Sequence, residues 1–129
     1  MRGQNKSNVV MIADDDLFIR KVISSSVKDF ADIVEVVDGA EVLEAYKKCQ
    51  PDMLFLDIHL PNISGLELIR PLQKADAGAF IVMCSADAST DNAFKIKQRG
   101  ARAFLTKPFD KARVVHLFNK CPTIKFMDF

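Results

Sequence analysis

Four places in this sequence put a side chain capable of chemistry at the end of a short apolar run. Asp14, Asp15 and Asp16 follow VVMIA. Asp57 closes MLFLD and leads into Ile58 and His59. Ser85 follows FIVMC, ahead of Ala86 and Asp87, and Lys107–Pro108 follows AFLT. A carboxylate such as Asp57, closing an apolar run, is costly to bury unless it is paired or metal-bound. Several aspartates brought together repel one another, and a divalent cation relieves that repulsion. Oxygen ligands from few residues suit Mg²⁺, which keeps some of its waters. A lysine then supplies a point charge, and a serine hydroxyl a donor, for anionic oxygens. Acid, metal, lysine and hydroxyl together describe phosphoryl transfer onto a carboxylate.

Such chemistry needs the four places to share one edge of the fold. Five apolar runs predict strands at Val9–Ala13, Ile33–Val37, Met53–Leu56, Phe80–Cys84 and Ala103–Thr106. Most are continuously apolar, as strands buried on both faces are. Ile33–Val37 carries Glu35 and suits a more exposed strand. Between them lie helical stripes. Ile19, Val22, Ile23, Val27 and Phe30 form one, and Val42, Ala45, Tyr46 and Cys49 another. Leu66, Ile69 and Leu72 form a third, and Val114, Leu117, Phe118 and Cys121 close the series. Asp38 and Gly39 read as a turn and helix start. Pro71 lies inside the third stripe and is expected to kink or end that helix early. Ala93 and Ile96 mark a weaker helix, started by Ser89 or Thr90 and stopped by Gly100. It is the least amphipathic and is expected to be mobile. Strand and helix alternate five times, which predicts a parallel sheet covered on both faces. In such sheets ligands bind beyond the carboxyl ends of the strands, where the four places fall.

The chain has 129 residues, 18 basic and 17 acidic, for a formal net charge of +1. That length suits one domain with a real core, and 49% hydrophobic residues exclude a disordered chain. Balanced charge argues against a dedicated nucleic-acid or membrane-surface binder. Cys49, Cys84 and Cys121 are widely spaced, form no metal-ligand cluster and sit in apolar surroundings, so buried, reduced thiols are expected. No apolar run approaches the roughly 18 residues of a membrane span, and no leader is recognisable at the polar N-terminus. A cytoplasmic location is expected. Residues 9–121 form the expected domain, with tails at 1–8 and 122–129.

Taken together, VVMIADDD (Val9–Asp16), DMLFLDIHLPNISG (Asp52–Gly65), MCSA (Met83–Ala86) and KPF (Lys107–Phe109) resemble the receiver domain of two-component response regulators. The resemblance covers Val9 to Lys120. It implies an α/β, flavodoxin-like (βα)5 three-layer sandwich with a parallel five-stranded sheet of order 2-1-3-4-5. It further implies that Asp57 is the phosphoacceptor, that Asp14, Asp15 and Asp57 bind Mg²⁺ with the backbone carbonyl of His59, and that Ser85 and Lys107 hold the phosphoryl oxygens. Ser85 and Phe104 would form the switch, with Phe104 in place of the commoner tyrosine. The Lys107–Pro108 bond would be cis. Partners would be a sensor histidine kinase or histidine phosphotransfer protein, and a downstream protein or second copy on the face of helix 4, strand 5 and helix 5. Neither nucleic-acid contact nor membrane insertion is implied. The chain would catalyse only its own phosphorylation and dephosphorylation, and would act alone or as part of a longer regulator or hybrid kinase. Asp15 and Asp16 form an alternative acid pair to Asp14 and Asp15. A His59–Asp87 pair would flank the path of hydrolytic water and set the phosphoryl lifetime.

Plainer roles exist for the same residues. Asp14–Asp16 suit a helix N-cap and first turn, His59 a surface loop, and Phe104 core filling. Phe126, Met127 and Phe129 suit either packing or an exposed apolar surface. A rival function is a Mg²⁺-dependent aspartyl-phosphate phosphohydrolase. Such enzymes place a second acid two residues after the nucleophile, where this chain has His59, and carry a cap domain not visible here. A docking module independent of phosphorylation is a third reading, and the intact set of Asp15, Asp57, Ser85 and Lys107 argues against it.

Overall fold

The computed structural model describes residues 8–86 and 95–125. Strands β1 (Val9–Ala13), β2 (Asp32–Val36), β3 (Met53–Asp57), β4 (Ile81–Ser85) and β5 (Ala103–Thr106) form one parallel sheet. Their order is β2-β1-β3-β4-β5, as the resemblance implies. Helices α1 (Leu17–Val27), α2 (Gly39–Cys49) and α3 (Gly65–Ala75) alternate with the first strands. A helical segment at 95–98, α4, precedes β5, and α5 (Lys111–Lys120) follows it. The proposed helix starts at Ser89 and Thr90, with Ala93 and the expected mobility there, lie outside the described residues. Gly100 does follow α4, at φ +107°, a backbone conformation that costs glycine nothing.

Burial of both sheet faces explains the continuous apolar runs. Every residue of β1, β3 and β4 is buried. Met11, Leu54, Leu56 and Met83 point toward α2 and α3 and pack with Val42, Leu68, Ile69 and Leu72. Val10, Ile12, Phe55 and Val82 point the other way, against Ile19, Ile23, Val114 and Phe118 of α1 and α5. Alternation along each strand thus feeds two cores. The edge strand β2 is only partly buried, and Glu35 is exposed.

Several boundaries differ from the sequence pattern. β2 starts at Asp32 and leaves Val37 outside. β3 includes Asp57, and β4 is shifted one residue to include Ser85. α1 ends at Val27, and the Phe30 N–H bonds the Val27 carbonyl in a turn beyond it. Cys84 and Cys121 are buried, but Cys49 is half-buried, because it closes α2 at the surface. Asn8 and Lys125, read from sequence as tail residues, bind each other. The Asn8 side chain bonds both the N–H and the carbonyl of Lys125, as well as the Phe30 carbonyl. Ile124 is buried beside Phe118.

Pro71 neither ends nor stops α3, which continues to Ala75. A helix-interior proline costs about 3 kcal/mol. Burying Leu68, Ile69 and Leu72, each contributing about 1.5–3 kcal/mol, outweighs that loss. The Asp76 N–H still closes on the Leu72 carbonyl past the proline. Replacing Pro71 with alanine restores a backbone donor without touching these contacts. Pro71→Ala should therefore raise stability by about 1–3 kcal/mol, read as a higher urea midpoint at unchanged slope. A lower midpoint would show that the ring's own packing matters more than the lost hydrogen bond.

Candidate functional site

At the carboxyl edge of the sheet the loops after β1, β3, β4 and β5 converge. Asp14 immediately follows β1, and its N–H still bonds the Val36 carbonyl of β2. Asp14 is almost wholly buried, at 2% exposure, and Asp57 at the end of β3 is 4% exposed. Asp15 is exposed. One carboxylate oxygen from each of Asp14, Asp15 and Asp57 lies within 4.8 Å of the others. The three consecutive aspartates therefore divide by environment rather than type. Asp16 is the N-cap of α1 and accepts the Phe18 N–H at 2.8 Å, and its own N–H bonds Asp14 Oδ1 at 2.9 Å. Its carboxylate serves the helix, while its backbone N–H serves Asp14 of the cluster.

Lys107, just beyond β5, crosses to the two buried acids. Its Nζ lies 2.9 Å from Asp14 Oδ2 and 3.3 Å from Asp57 Oδ1. Its N–H bonds the Ser85 carbonyl, which anchors the loop after β5 to the end of β4. The Lys107–Pro108 bond is cis. Ser85 is the fully buried last residue of β4, paired in register with Thr106. Asp57 pairs in register with Cys84. Burial pushes the Cys84 thiol far up, despite the opposing pull of Lys107, so it is no thiolate nucleophile at neutral pH.

The charges do not balance. Asp14 is held above the usual carboxylate range, first by burial and also by the Asp57 charge. The Asp16 N–H and Lys107 only partly offset this. Burial pulls Lys107 down, but Asp14 and Asp57 outweigh it, and its ammonium is held above the ordinary lysine range. Asp14 Oδ2, though close to that ammonium, accepts no well-aligned hydrogen bond. Three carboxylates facing one ammonium, with a buried oxygen under-satisfied, are the donor set of a hard divalent cation.

His59 lies two residues beyond Asp57. Its N–H approaches Asp57 Oδ1 at 3.3 Å, and its side chain is exposed. Asp87, its suggested companion, lies outside the described residues. Phe104 is half-buried on the α2–α3 side of the sheet, paired in register with Met83.

Two features of the site carry no signal in residue type alone. Gly65 packs so closely that a Cβ there would lie 2.2 Å from the Asp57 carbonyl oxygen, and its N–H bonds the Ile58 carbonyl. The loop after β3 thus folds back onto the backbone of Asp57 and Ile58, and a glycine is required for the approach. Arg20 on α1 donates Nη1 to the Asp14 carbonyl at 2.9 Å and Nε to Glu35 Oε1 at 2.9 Å. It makes Glu35 of β2 part of the site's surroundings.

Comparison with known proteins agrees with this geometry. A family profile described as the response regulator receiver domain matches residues 10–119. The chemotaxis protein CheY of Bacillus subtilis is 34% identical over 113 residues, covering 86% of this chain and 94% of that protein. A crystal structure of NtrX from Brucella abortus superposes with a TM-score of 0.81 at 26% identity, covering 88% of this chain but 27% of that one. The CheX–CheY–BeF3–Mg²⁺ complex from Borrelia burgdorferi matches at TM-score 0.79 and 27% identity, covering 85% of each chain.

The direction held by Asp14 fixes a stability prediction. Its folded value lies above its unfolded one, so its contribution is fully present below the ordinary value of 3.8 and is lost as pH rises through the folded value. At neutral pH the ionised group opposes folding. Asp14→Asn should therefore raise the Tm by a few degrees at pH 7 in chelator. The gain should vanish when both proteins are compared near pH 3. A lower Tm for the variant at pH 7 would mean that the Lys107 contact outweighs burial and repulsion.

Proposed function

Because this chain belongs to the response regulator receiver family, we propose that it is a phosphorylation-dependent signalling switch whose phosphoacceptor is Asp57. One observation carries the reading. Lys107 Nζ reaches both Asp14 and Asp57 while three carboxylates converge beside it. A lone buried carboxylate would be a poor nucleophile and a costly one. Here it has a fixed ammonium on one oxygen and a cation site within reach.

Asp14, Asp15 and Asp57, with the His59 carbonyl, are the residues that would hold Mg²⁺. The ion would neutralise carboxylate and phosphoryl oxygens together. The Mg²⁺ named in the Borrelia CheY complex supports Mg²⁺ as the cation. An Asp57 oxygen attacks the donor phosphorus in line. The P–N bond of a phosphohistidine, or the P–O bond of a small acyl phosphate, breaks, and the leaving group departs with the bonding pair. Lys107 pairs with the transferred phosphoryl group, and the Ser85 hydroxyl donates to one of its oxygens. Water later attacks the same phosphorus, the P–O bond to Asp57 breaks, and inorganic phosphate leaves with the carboxylate regenerated. The chain thus catalyses only its own loading and unloading, and is a switch rather than a turnover enzyme.

The donor would be a sensor histidine kinase or a histidine phosphotransfer protein. On phosphorylation, Ser85 would draw the end of β4 inward, and Phe104, packed beside Met83, would follow. The face of α4, β5 and α5 would then present a different surface to a partner protein or a second copy. This is a population shift between two packings, biased by the phosphoryl contacts. No helix among the described residues is long and apolar enough to cross a membrane.

Incubation with Mg²⁺ and acetyl phosphate tests the reading by intact mass. One phosphoryl group should be added to the wild type, and none to Asp57→Ala or in chelator. Lys107→Ala should lower the phosphorylated fraction at least tenfold. An adduct of equal yield in Asp57→Ala would place the phosphoacceptor elsewhere.

A further inference from the structure

Asp15 is the least supported member of the acid cluster. Asp14 and Asp57 are buried and share the Lys107 ammonium. Asp15 is exposed, and among the described residues nothing bonds its carboxylate. Its direction is therefore set by its backbone, through the peptide that joins it to Asp14. That peptide's carbonyl is bound by Arg20 Nη1 at 2.9 Å. The same guanidinium is steered by Glu35, whose Oε1 accepts Nε at 2.9 Å. The Arg20 side chain is 14% exposed, so the fork is held largely out of water, while Glu35 is more open at 45%. The Arg20 N–H bonds the Asp16 carbonyl in the first turn of α1. One residue thus ties together helix α1, the edge strand β2 and the peptide between two acids of the cluster.

From this geometry we infer that Arg20, aimed by Glu35, is a positioning residue that orients the Asp14–Asp15 peptide so that Asp15 can share a Mg²⁺ ion with Asp14 and Asp57. The inference rests on the reading of the acid cluster as a Mg²⁺ site. Charge and geometry predict opposite effects here, which makes the idea sharp. Arg20 is a cation close to a cation site, so by Coulomb's law alone its removal should tighten Mg²⁺ binding. Loss of an outer-shell partner that orients a ligand weakens metal affinity, by about 10-fold or more. Lysine keeps the charge but lacks the fork that reaches Glu35 and the Asp14 carbonyl together.

The test is Mg²⁺ affinity measured by calorimetry on the apo proteins, at a temperature well below every variant's Tm. Wild type, Arg20→Gln, Arg20→Lys and Asp15→Asn are compared, with the apo Tm of each. Arg20→Gln should raise the Mg²⁺ Kd about tenfold, with Arg20→Lys between it and wild type. Arg20→Gln binding Mg²⁺ as tightly as wild type, or more tightly, would overturn the inference. So would a lowered apo Tm with unchanged Kd, since a mere tie between α1 and β2 predicts that pattern. Asp15→Asn tells this failure from the broader one. If Asp15→Asn binds Mg²⁺ as well as wild type, or wild type binds none, the reading of the cluster has failed and the inference with it. If Asp15→Asn loses binding and Arg20→Gln does not, only the role of Arg20 has failed.

Discussion

Three carboxylates and one ammonium share the end of a sheet whose other side chains are almost all apolar, and the negative charge is in excess. That imbalance is the constraint on which the rest of the structure turns. Asp14 is held above the usual carboxylate range by burial and by its neighbour, and Lys107 is held in its charged form by both acids. Folding alone does not relieve the excess. A cation or a transferred group that brings new partners would relieve it, and the switch we propose would respond to both. Marginal stability makes such a local penalty tolerable only where the core is secure. Here two cores, one on each face of the sheet, hold β1, β3 and β4 rigidly enough to keep the acids together.

The parallel sheet supplies the convergence without further specification. Because every strand runs the same way, each apolar run delivers its terminal residue to one edge. Short hydrogen bonds across that edge then set the details. The Lys107 N–H bonds the Ser85 carbonyl, the Ile58 N–H the Cys84 carbonyl, and the Asp14 N–H the Val36 carbonyl. Ser85 and Lys107 are thus joined through backbone. Displacement of the end of β4 would be felt by β5 and by Phe104, two residues before Thr106 in the same ladder. The switch we propose has a physical path in these contacts.

Much of this was legible from sequence, for a reason that can be named. Asp57 stands out because an ionised group at the end of MLFL contradicts its surroundings, and Lys107 and Ser85 stand out the same way. The parallel sheet is legible because strands buried on both faces lose the polar alternation of an exposed sheet. What sequence could not show depends on contacts between distant residues. Glu35 reads only as a polar interruption of β2, until Arg20 is seen to reach it from α1. Gly65 reads as part of a motif, yet the requirement for glycine comes from the Asp57 carbonyl packed against it. Pro71 misleads because local propensity is outweighed by Leu72 and its neighbours in the core. Asn8 and Lys125 lie 117 residues apart, and no local pattern announces their bonds.

Thermal unfolding across a Mg²⁺ series at neutral pH, with wild type beside Asp57→Asn, tests the central claim most directly. If the excess of negative charge is a cation site, the wild-type Tm climbs with Mg²⁺ as a ligand of the native state requires, and the climb is reduced or lost in Asp57→Asn. A wild-type Tm that stays flat across the series, or rises equally in the variant, would contradict the account.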